Sequence, residues 1–478
     1  MQGRKEKKKA LIKLMKADPE KVADMILDLM DQVKMLTQRV SELEQKLALN
    51  SKNSSKPPSS DNHKPKPKSL RKKSGLKSGG QKGHKGKSLD FCEQPNNIIE
   101  HRLNYCPKTG EQLDENNVVK IIERQDFDLP ETGLIIDQHN IYQYKNSLGE
   151  LLTAPAPKGV ISRTQYGKNF YRWLVYLSDY QFIPLNRIRQ MCVDLFGYSV
   201  SEDTILKARQ HCYENLESFE AWVKEALVES EVIHADETGF KVNTQTHWMH
   251  TACNARYTYL SVQAKRGYTA IKEMNILERF HGYLVHDCWS TYFKLTDCIH
   301  VLCNPHLLRE LVFSHEELKQ DWAMRMITFI EEAYLYRKNF SEEQRKQNRK
   351  YWEAEYRRII AEGFIENTDA NQPLCTKGKR GRKKKNKARN LLERMDIHQD
   401  KILAFLWHDQ IPFSNNQAEQ DVRMVKLKQK ISGGFRKTQS AEVFARIRSF
   451  ISTASKNNIH AWNALGNAFN GNPCSGLA

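Results

Sequence analysis

Residues 232–238 read VIHADET, an apolar and β-branched run that ends in a pair of carboxylates. Residues 283–289 read YLVHDCW and repeat the arrangement, with Asp287 directly after a short apolar run. Runs of this kind, bounded by polar residues, predict β-strands. If the two strands are parallel neighbours, Asp236 and Asp287 come from their carboxyl ends and meet at one edge of the sheet.

A third acidic motif lies far along the chain, at residues 415–419 (NNQAE). It is on a predicted helix that begins near Ser414 or Asn415, both of which are favourable N-cap residues. Glu419 and Arg423 are four positions apart and therefore share one face of that helix. We expect the helix to lie across the sheet edge, so that its glutamate joins the two aspartates.

Strands and helices alternate around these motifs. His247–Cys253 and Tyr257–Val262 predict a hairpin, and Ala270–Phe280 predicts a helix. A further strand, Ile299–Cys303, leads into a helix after Pro305. The order β-β-β-α-β-(α)-β-α is that of a ribonuclease-H-like domain. We therefore expect an α/β fold, with a mixed five-stranded sheet flanked by helices and a helical insertion before the third motif.

Three carboxylates at one site suit the cleavage of a phosphodiester. That reaction needs an activated water and a stabilised leaving oxygen, and two Mg²⁺ ions about 4 Å apart supply both. Mg²⁺ prefers oxygen ligands and keeps several waters, so a few carboxylates suffice. The sequence thus predicts Asp236, Asp287 and Glu419 as catalytic residues and metal ligands, with Mn²⁺ as a substitute for Mg²⁺. A single Asp or Glu is more often a surface charge. The prediction depends on finding all three, two of them after apolar strands and one at the start of a helix.

The net charge of +18 belongs to two segments. Residues 51–90 carry a net charge of +10 and residues 377–389 one of +9, which leaves −1 for the rest of the chain. Concentrated cationic segments are typical of proteins that bind nucleic acid, here double-stranded DNA. The alternative is a solvated or solubilising tail. Within the second segment, Arg382, Lys383 and Lys384 are candidate DNA contacts.

Residues 20–49 predict one long helix with a heptad seam. Its apolar residues recur at alternating steps of three and four: Ile26, Leu29, Val33, Leu36, Val40, Leu43 and Leu47. Mostly β-branched residues at a positions and leucine at d positions favour a parallel two-stranded coiled coil, and hence a homodimer or higher oligomer. The alternative is an amphipathic helix that packs on its own domain.

Two modules follow this helix. Residues 50–90 are rich in Ser, Pro, Lys and Gly and predict a basic flexible linker. Residues 91–160 predict a small β-rich module with short strands such as Leu134–Ile136. Cys106 begins a pattern that resembles a zinc knuckle, but Thr109 stands at the second cysteine position and the second knuckle has no cysteine. Structural zinc needs four ligands, so no zinc is expected.

Residues 161–228 are predicted to be helical, with a turn at Gly197 that is compatible with helix-turn-helix DNA binding. A helical hairpin that binds no DNA has the same pattern. The expected domains are the N-terminal helix at 1–49, the linker at 50–90, the β-rich module at 91–160, the helical region at 161–228, the catalytic core at 229–310, the insertion at 311–405, and the C-terminal part of the core at 406–478.

Several basic residues near the motifs are further candidate DNA contacts. His306 and Arg309 follow the fifth predicted strand and could touch the scissile phosphate, or they could be a helix-start histidine and a surface arginine. A second group follows Glu419 and is expected to track the DNA backbone: Arg423, Lys428, Lys430, Arg436 and Lys437.

Four other residues near the aspartates are expected to be structural. They are His234, His286, Trp289 and Tyr292. Because side chains alternate along a strand, His286 faces away from Asp287.

The sequence predicts a cytoplasmic protein. The sequence contains no run of 18 or more apolar residues, so no membrane span is predicted. Residues 1–10 are charged and lack the apolar core of a signal peptide. The ten cysteines are scattered, which favours reduced thiols.

These motifs, in this order, resemble those of bacterial insertion-sequence transposases of the IS-sixty-six family, within the DDE superfamily. The resemblance extends over nearly the whole chain and includes residues 79–86 (GGQKGHKG), 303–310 (CNPHLLRE) and 433–436 (GGFR). It implies that Asp236, Asp287 and Glu419 form a Mg²⁺-dependent catalytic triad. It also implies recognition of the element's terminal inverted repeats, small companion proteins of the same element, and association with the nucleoid.

The chain departs from the family pattern in two places. The knuckle cysteines are mostly absent, and Gln420 follows Glu419 where arginine is usual. Two other functions stay open on the sequence: a catalytically inactive DNA-binding protein or repressor derived from such an element, and a nuclease that acts in repair or on RNA hybrids.

Overall fold

The computed structural model of the chain describes residues 15–50, 91–115, 118–125, 133–148, 151–368 and 386–477, together with residues 8, 9, 12, 13, 53 and 127. Among these, residues 91–155 and 193–197 belong to a smaller compact unit, and residues 15–50, 156–192 and 198–477 belong to a larger one. Most of the predicted linker and the basic residues Arg382, Lys383 and Lys384 lie outside the described residues.

The predicted N-terminal helix is present as α1 (Pro19–Ala48). Asp18 caps it by accepting a hydrogen bond from the Lys21 backbone N–H at 3.0 Å. The heptad seam is exposed in the single chain, from 46% of the side chain at Leu43 to 73% at Leu47. An apolar stripe of this length is therefore left in contact with solvent.

The smaller unit has little regular structure. β1 (Gln143–Lys145) pairs with β2 (Leu151–Thr153) in an antiparallel hairpin, and an isolated bridge joins Tyr105 to Gln112. Leu134–Ile136, which the sequence predicts to be a strand, is not one. The prediction of a β-rich module is thus too strong for the described residues. The physical reason is that these short strands are exposed and have no third strand or helix on which to bury an apolar face.

Four helices precede the main sheet. They are α2 (Lys168–Val175), which continues into a π-helical turn (Tyr176–Tyr180), α3 (Leu185–Phe196), α4 (Glu202–Asn215) and α5 (Glu217–Val228). Gly197 has a φ of 71°, which ends α3, and Ser201 caps α4 by accepting from the Thr204 N–H at 3.0 Å. Two helices separated by a short turn are therefore present, while a helix-turn-helix that binds DNA stays a prediction.

A mixed five-stranded sheet forms the centre of the larger unit. Its strands are β3 (Val232–Val242), β4 (Gln245–Cys253), β5 (Thr258–Gln263), β6 (Tyr283–His286) and β7 (Ile299–Leu302). The spatial order is β5-β4-β3-β6-β7, with β3 to β5 antiparallel and β6 and β7 parallel to β3. This arrangement is consistent with the predicted ribonuclease-H-like domain.

Strand β3 is longer than the sequence predicts. The apolar run ends at Ala235, but the strand continues through Asp236 to Val242 because nine of its residues pair with β4. Asn243 and Thr244, both at positive φ, form the tight turn between the two strands. Asp236 therefore lies within β3, at the level where its parallel neighbour β6 ends, and not at the end of its own strand.

The helix predicted at Ala270–Phe280 is also interrupted. It forms α6 (Tyr268–Glu273) and a separate 3₁₀ turn (Leu277–Arg279). Asn275, at a φ of 54°, breaks the helix between them.

In the parts of the insertion that the structure describes, residues 311–368 and 386–405, helices pack against the sheet. The insertion begins after α7 (Asn304–Glu316) and comprises α8 (Asp321–Asn339), α9 (Glu342–Gln347), α10 (Arg349–Glu366), α11 (Lys387–Ile397) and α12 (Gln399–Trp407). Trp322, Tyr356 and Phe405 form one buried apolar cluster with Val285 and Val301 of the sheet. Asn348 separates α9 from α10, and His398 separates α11 from α12.

Three helices close the larger unit: α13 (Asn416–Ser432), α14 (Thr438–Lys456) and α15 (Ala461–Phe469). Helix α14 covers the edge strand β5. The Ser449 hydroxyl accepts from the Leu260 N–H at 2.9 Å, and the Thr453 hydroxyl accepts from the Thr258 N–H at 3.0 Å. Within the described residues, no helix combines the length and apolarity needed to cross a lipid bilayer.

A buried ion pair joins the π-helical turn to α4. Asp179 is fully buried and accepts two hydrogen bonds from the Arg209 guanidinium, at 2.7 and 2.8 Å. Burial by itself raises the pKa of Asp179, but Arg209 more than offsets it and the net pKa lies below the usual range. Lys428 of α13 is also buried beside this pair and points toward the Ser178 carbonyl oxygen at 3.4 Å.

Replacement of Arg209 by alanine should lower the free energy of unfolding by about 3–5 kcal/mol, because it removes the guanidinium that pairs with the buried Asp179 carboxylate, and the Ser178 hydroxyl and the nearby Lys428 do not replace that two-pronged contact. Chemical denaturation of the purified chain at neutral pH measures this. Lys207→Ala on the same helix is the matched control, since its pair with Asp203 is exposed on both sides and is worth at most about 1 kcal/mol.

Equal losses in the two variants would contradict the importance of the buried pair. Because the folded pKa of Asp179 is depressed, its contribution to stability is present near neutral pH and is lost as the pH falls through that folded pKa. Arg209→Ala should therefore differ most from the wild type above that range.

Candidate active site

The two predicted aspartates lie at equivalent positions of neighbouring parallel strands. The register of β3 and β6 pairs Val232 with Tyr283 and His234 with Val285, and two residues further it brings Asp236 beside Asp287. Asp287 directly follows the last residue of β6, and its carboxylate accepts from the Trp289 N–H at 3.1 Å. The sequence prediction that these two carboxylates share one part of the sheet agrees with this geometry.

Glu419 lies in the first turn of α13, and Asn415 holds this end of the helix on the sheet. The Asn415 amide donates to the Ala235 carbonyl oxygen at 2.8 Å, and its oxygen is 3.0 Å from Nδ1 of His234. Asn415 is fully buried and makes no side-chain cap to α13. The predicted start of the helix is confirmed, since Asn415 is its N-cap residue, but the Asn415 amide is used across the helix–sheet interface and not to cap the helix.

The far end of α13 is also attached to β3. Gly433, at a φ of 73°, ends the helix. Phe435 then donates its N–H to the Lys241 carbonyl oxygen at 2.9 Å and accepts from the Asn243 N–H at 2.8 Å. Gly434 is required at this close approach, because a Cβ there would lie 2.8 Å from the Lys241 oxygen.

The carboxylates lie close enough to influence one another. Burial, followed by the charges of Glu237, Asp287 and Glu419, raises the pKa of Asp236 well above its ordinary value. The Oε1 atom of Glu419 is buried and accepts no hydrogen bond from the residues that the structure describes. A divalent cation would relieve the repulsion and would supply the missing partner, so this set of oxygen ligands fits such an ion.

Glu237 is a buried member of the site that the sequence analysis did not single out. Its carboxylate accepts from the Tyr292 hydroxyl at 2.6 Å and from the Arg266 Nε at 3.0 Å. The Arg266 guanidinium lies between the rings of Trp289 and Trp248, 4.3 and 5.0 Å from their centroids. The position of Glu237 next to Asp236 was a usable signal, whereas nothing in the sequence around Arg266 marks it.

Cys303 and His306 form the other wall of the site: Cys303 is the N-cap residue of α7, and His306 lies in its first turn. The Nδ1 atom of His306 lies 3.2 Å from the Cys303 sulfur and 3.7 Å from Oε1 of Glu419. Burial raises the pKa of the Cys303 thiol to about 12 and lowers the pKa of His306. Both residues line a pocket that also contains Asp287 and Arg266. The sequence analysis identified His306 as a candidate and missed Cys303.

Of the four residues expected to be structural, three are buried and one, Trp289, is partly covered. His286 is fully buried, and its Nε2 lies 3.0 Å from Nδ1 of His300, on the side of the strand away from Asp287. His234 is bound to Asn415, and burial lowers its pKa to about 4. Tyr292 is buried, whereas Trp289 is only partly covered and stacks on Arg266.

The candidate DNA contacts differ in their exposure. Lys430, Arg436 and Lys437 are exposed, and Arg309 is half-buried. Arg423 is exposed and pairs with Oε2 of Glu419 at 2.9 Å, as expected for positions four residues apart on one helix.

The prediction that Lys428 contacts the DNA backbone is wrong. Its side chain is buried beside Asp179 and Arg209, so its ammonium group faces the protein interior and not a DNA backbone. The periodicity of α13 explains the difference, since Lys428 shares a face with the buried Val425.

Comparison with known proteins identifies the relatives of this chain. A family model described as "Transposase IS66 family" matches residues 163–443, which is more than half of the chain and includes the three acidic motifs. A family of unknown function (DUF6444) matches residues 3–90. No curated protein matches the chain. With the main sheet and the insertion inside the first match, the chain belongs to the Transposase IS66 family.

Proposed function

We propose that this chain is a DNA transposase that cuts DNA at the ends of an insertion sequence and joins those ends to target DNA. In this proposal, Asp236, Asp287 and Glu419 are its catalytic, metal-binding carboxylates. The observation that carries the proposal is the in-register position of the two aspartates on β3 and β6, with Glu419 held over them by α13. Membership of a transposase family supports the reaction type.

The chain's own residues would bind and orient the reacting groups. Asp236, Asp287 and Glu419 would hold divalent metal ions, Mg²⁺ or Mn²⁺. When bound, such ions activate the attacking water or 3′-hydroxyl and stabilise the leaving oxygen. His306 and Arg309, at the start of α7, would position the phosphate that is cut. Glu237 would act indirectly, by keeping the Arg266 guanidinium fixed beside the pocket.

Affinity for DNA would come from basic residues around this site. Three of them follow Glu419 in the sequence and are exposed: Lys430, Arg436 and Lys437. Together with the segments at 51–90 and 377–389, they would bind phosphates of the element's terminal inverted repeats and of target DNA, with a strong dependence on salt. The helix–turn–helix of α3 and α4 is a candidate for base contacts.

Two element ends must be joined in one reaction, which suits a dimer. The exposed heptad seam of α1 supports a parallel two-stranded coil between two copies of the chain. Small companion proteins of the same element would assist this assembly.

The catalytic proposal predicts the effect of removing each carboxylate. Asp236→Asn, Asp287→Asn and Glu419→Gln should each reduce Mg²⁺-dependent nicking of a labelled duplex that carries the element's own ends. The expected loss is more than roughly 100-fold, which exceeds the effect of removing an outer-shell partner of a metal. Binding of the same duplex, measured by gel shift, should be kept.

Glu442→Gln is the control, because Glu442 is an exposed carboxylate on α14. It should nick DNA as the wild type does. Nicking retained in any of the three site variants would remove that residue from the mechanism. Specific binding without nicking by the wild type, even with the companion proteins added, would favour an inactive DNA-binding protein.

The dimer proposal predicts the effect of charge in the heptad seam. Leu36→Lys places a charge at a position that two copies would bury against each other, and it should convert the dimer to a monomer in sedimentation or light scattering. Lys34→Glu, outside the seam on the same helix, should keep the dimer. A monomeric wild type, or a dimer that survives Leu36→Lys, would contradict the coiled coil.

A further inference from the structure

We propose that Cys303, His306 and Glu419 form a binding site for a thiophilic divalent cation of the zinc class, and that this cation competes with the catalytic use of Glu419. The three side chains come from two places in the chain: the start of α7 and the first turn of α13. Their ligand atoms all lie within 4.8 Å of one another.

The distances fit one small cation. Tetrahedral zinc binds nitrogen at about 2.0–2.1 Å and sulfur at about 2.3 Å, which puts neighbouring ligand atoms ~3.4–3.6 Å apart. The observed distances bracket that value: 3.2 Å from His306 Nδ1 to the Cys303 sulfur and 3.7 Å from His306 Nδ1 to Oε1 of Glu419. The third pair of ligand atoms, the Cys303 sulfur and a Glu419 carboxylate oxygen, lies within 4.8 Å, so side-chain rotations that bring these two atoms closer would complete the site.

Two further observations point to a ligand here. Oε1 of Glu419 is buried and accepts no hydrogen bond from the described part of the chain, so a carboxylate oxygen is presented to the cluster without a partner. Cys303 and His306 also line the pocket that contains Asp287, which gives a fourth ligand position access to water or to a phosphate oxygen. Three protein ligands and one open position are the usual arrangement of zinc sites that are not purely structural.

The ligand set selects a class of metal. Sulfur and imidazole ligands favour zinc, cobalt and cadmium, whereas Mg²⁺ prefers oxygen alone. On binding, the Cys303 thiol loses its proton to solvent as the metal–sulfur bond forms, so one proton is released for each ion bound. Mg²⁺ would instead stay with the carboxylates.

A consequence follows for the reaction, and this step alone rests on the proposed function. A cation held by Cys303 and His306 keeps Glu419 on the α7 side of the site. The carboxylate is then withdrawn from Asp236 and Asp287, and a zinc-class ion should inhibit DNA nicking by the Mg²⁺-loaded protein.

Binding is tested with Co²⁺, a spectroscopic substitute for zinc, on the full-length chain without DNA. The wild type should show a thiolate-to-cobalt charge-transfer band that Zn²⁺ displaces and excess Mg²⁺ does not. Cys303→Ser should abolish the band, and His306→Gln should weaken cobalt binding about tenfold or more. Cys474→Ser, at a half-buried cysteine of the C-terminal tail, is the control and should keep the band. Thermal unfolding confirms that each variant is folded.

The outcomes separate the two proposals. Equal cobalt spectra for the wild type and folded Cys303→Ser would overturn the site. Asp236→Asn should keep the cobalt band while it loses nicking. A wild-type protein that binds cobalt but nicks no DNA, even with the companion proteins added, would refute the transposase proposal and leave this metal site intact. Inhibition of nicking by Zn²⁺ should be relieved in Cys303→Ser, and inhibition that persists there would overturn the competition for Glu419.

Discussion

The attachment of α13 to β3 at both ends is the constraint on which the site depends. At its start, the Asn415 side chain binds the Ala235 carbonyl oxygen and His234. Beyond its end, Phe435 makes one backbone hydrogen bond to Lys241 at the end of β3 and one to Asn243 in the turn that follows. Glu419 and Asp236 belong to distant parts of the sequence, yet their backbones are fixed to one another through these four hydrogen bonds. A site built on a helix and a strand in this way is held more accurately than one built on loops.

Holding the carboxylates this close together lowers the stability of the folded chain. Four carboxylates lie within interaction range, and the raised pKa of Asp236 records the unfavourable free energy of holding its charge there. The surrounding structure offsets this with buried apolar packing, such as the cluster of Trp322 and Tyr356 and the cluster of Phe240 and Phe444. The acidic site is thus a strained region inside a stable framework, as is common where binding a cation restores the balance.

Sequence periodicity predicted most of this framework and the three acidic motifs. The strands and the long α1 helix follow from apolar runs and heptad spacing, which are local signals, and the mixed sheet was expected because the chain order of the elements matches that of a ribonuclease-H-like domain. What the sequence could not supply were contacts between distant residues: the continuation of β3 past Asp236 depends on pairing with β4, and the use of the Asn415 amide depends on α13 lying against β3. Lys428 is charged and was expected at the surface, but tertiary packing buries it beside Asp179. Cys303 carries no local mark of its closeness to Glu419.

Because α14 covers the edge strand β5, it limits how copies of this chain can associate. An uncovered outer strand exposes a row of N–H groups that invites a strand from another molecule. Here the hydroxyls of Ser449 and Thr453 already take two of those N–H groups, so the sheet cannot be extended from this side without first displacing α14. The chain is thereby protected from open-ended strand-to-strand polymerisation at that edge, and association there is left to helical surfaces.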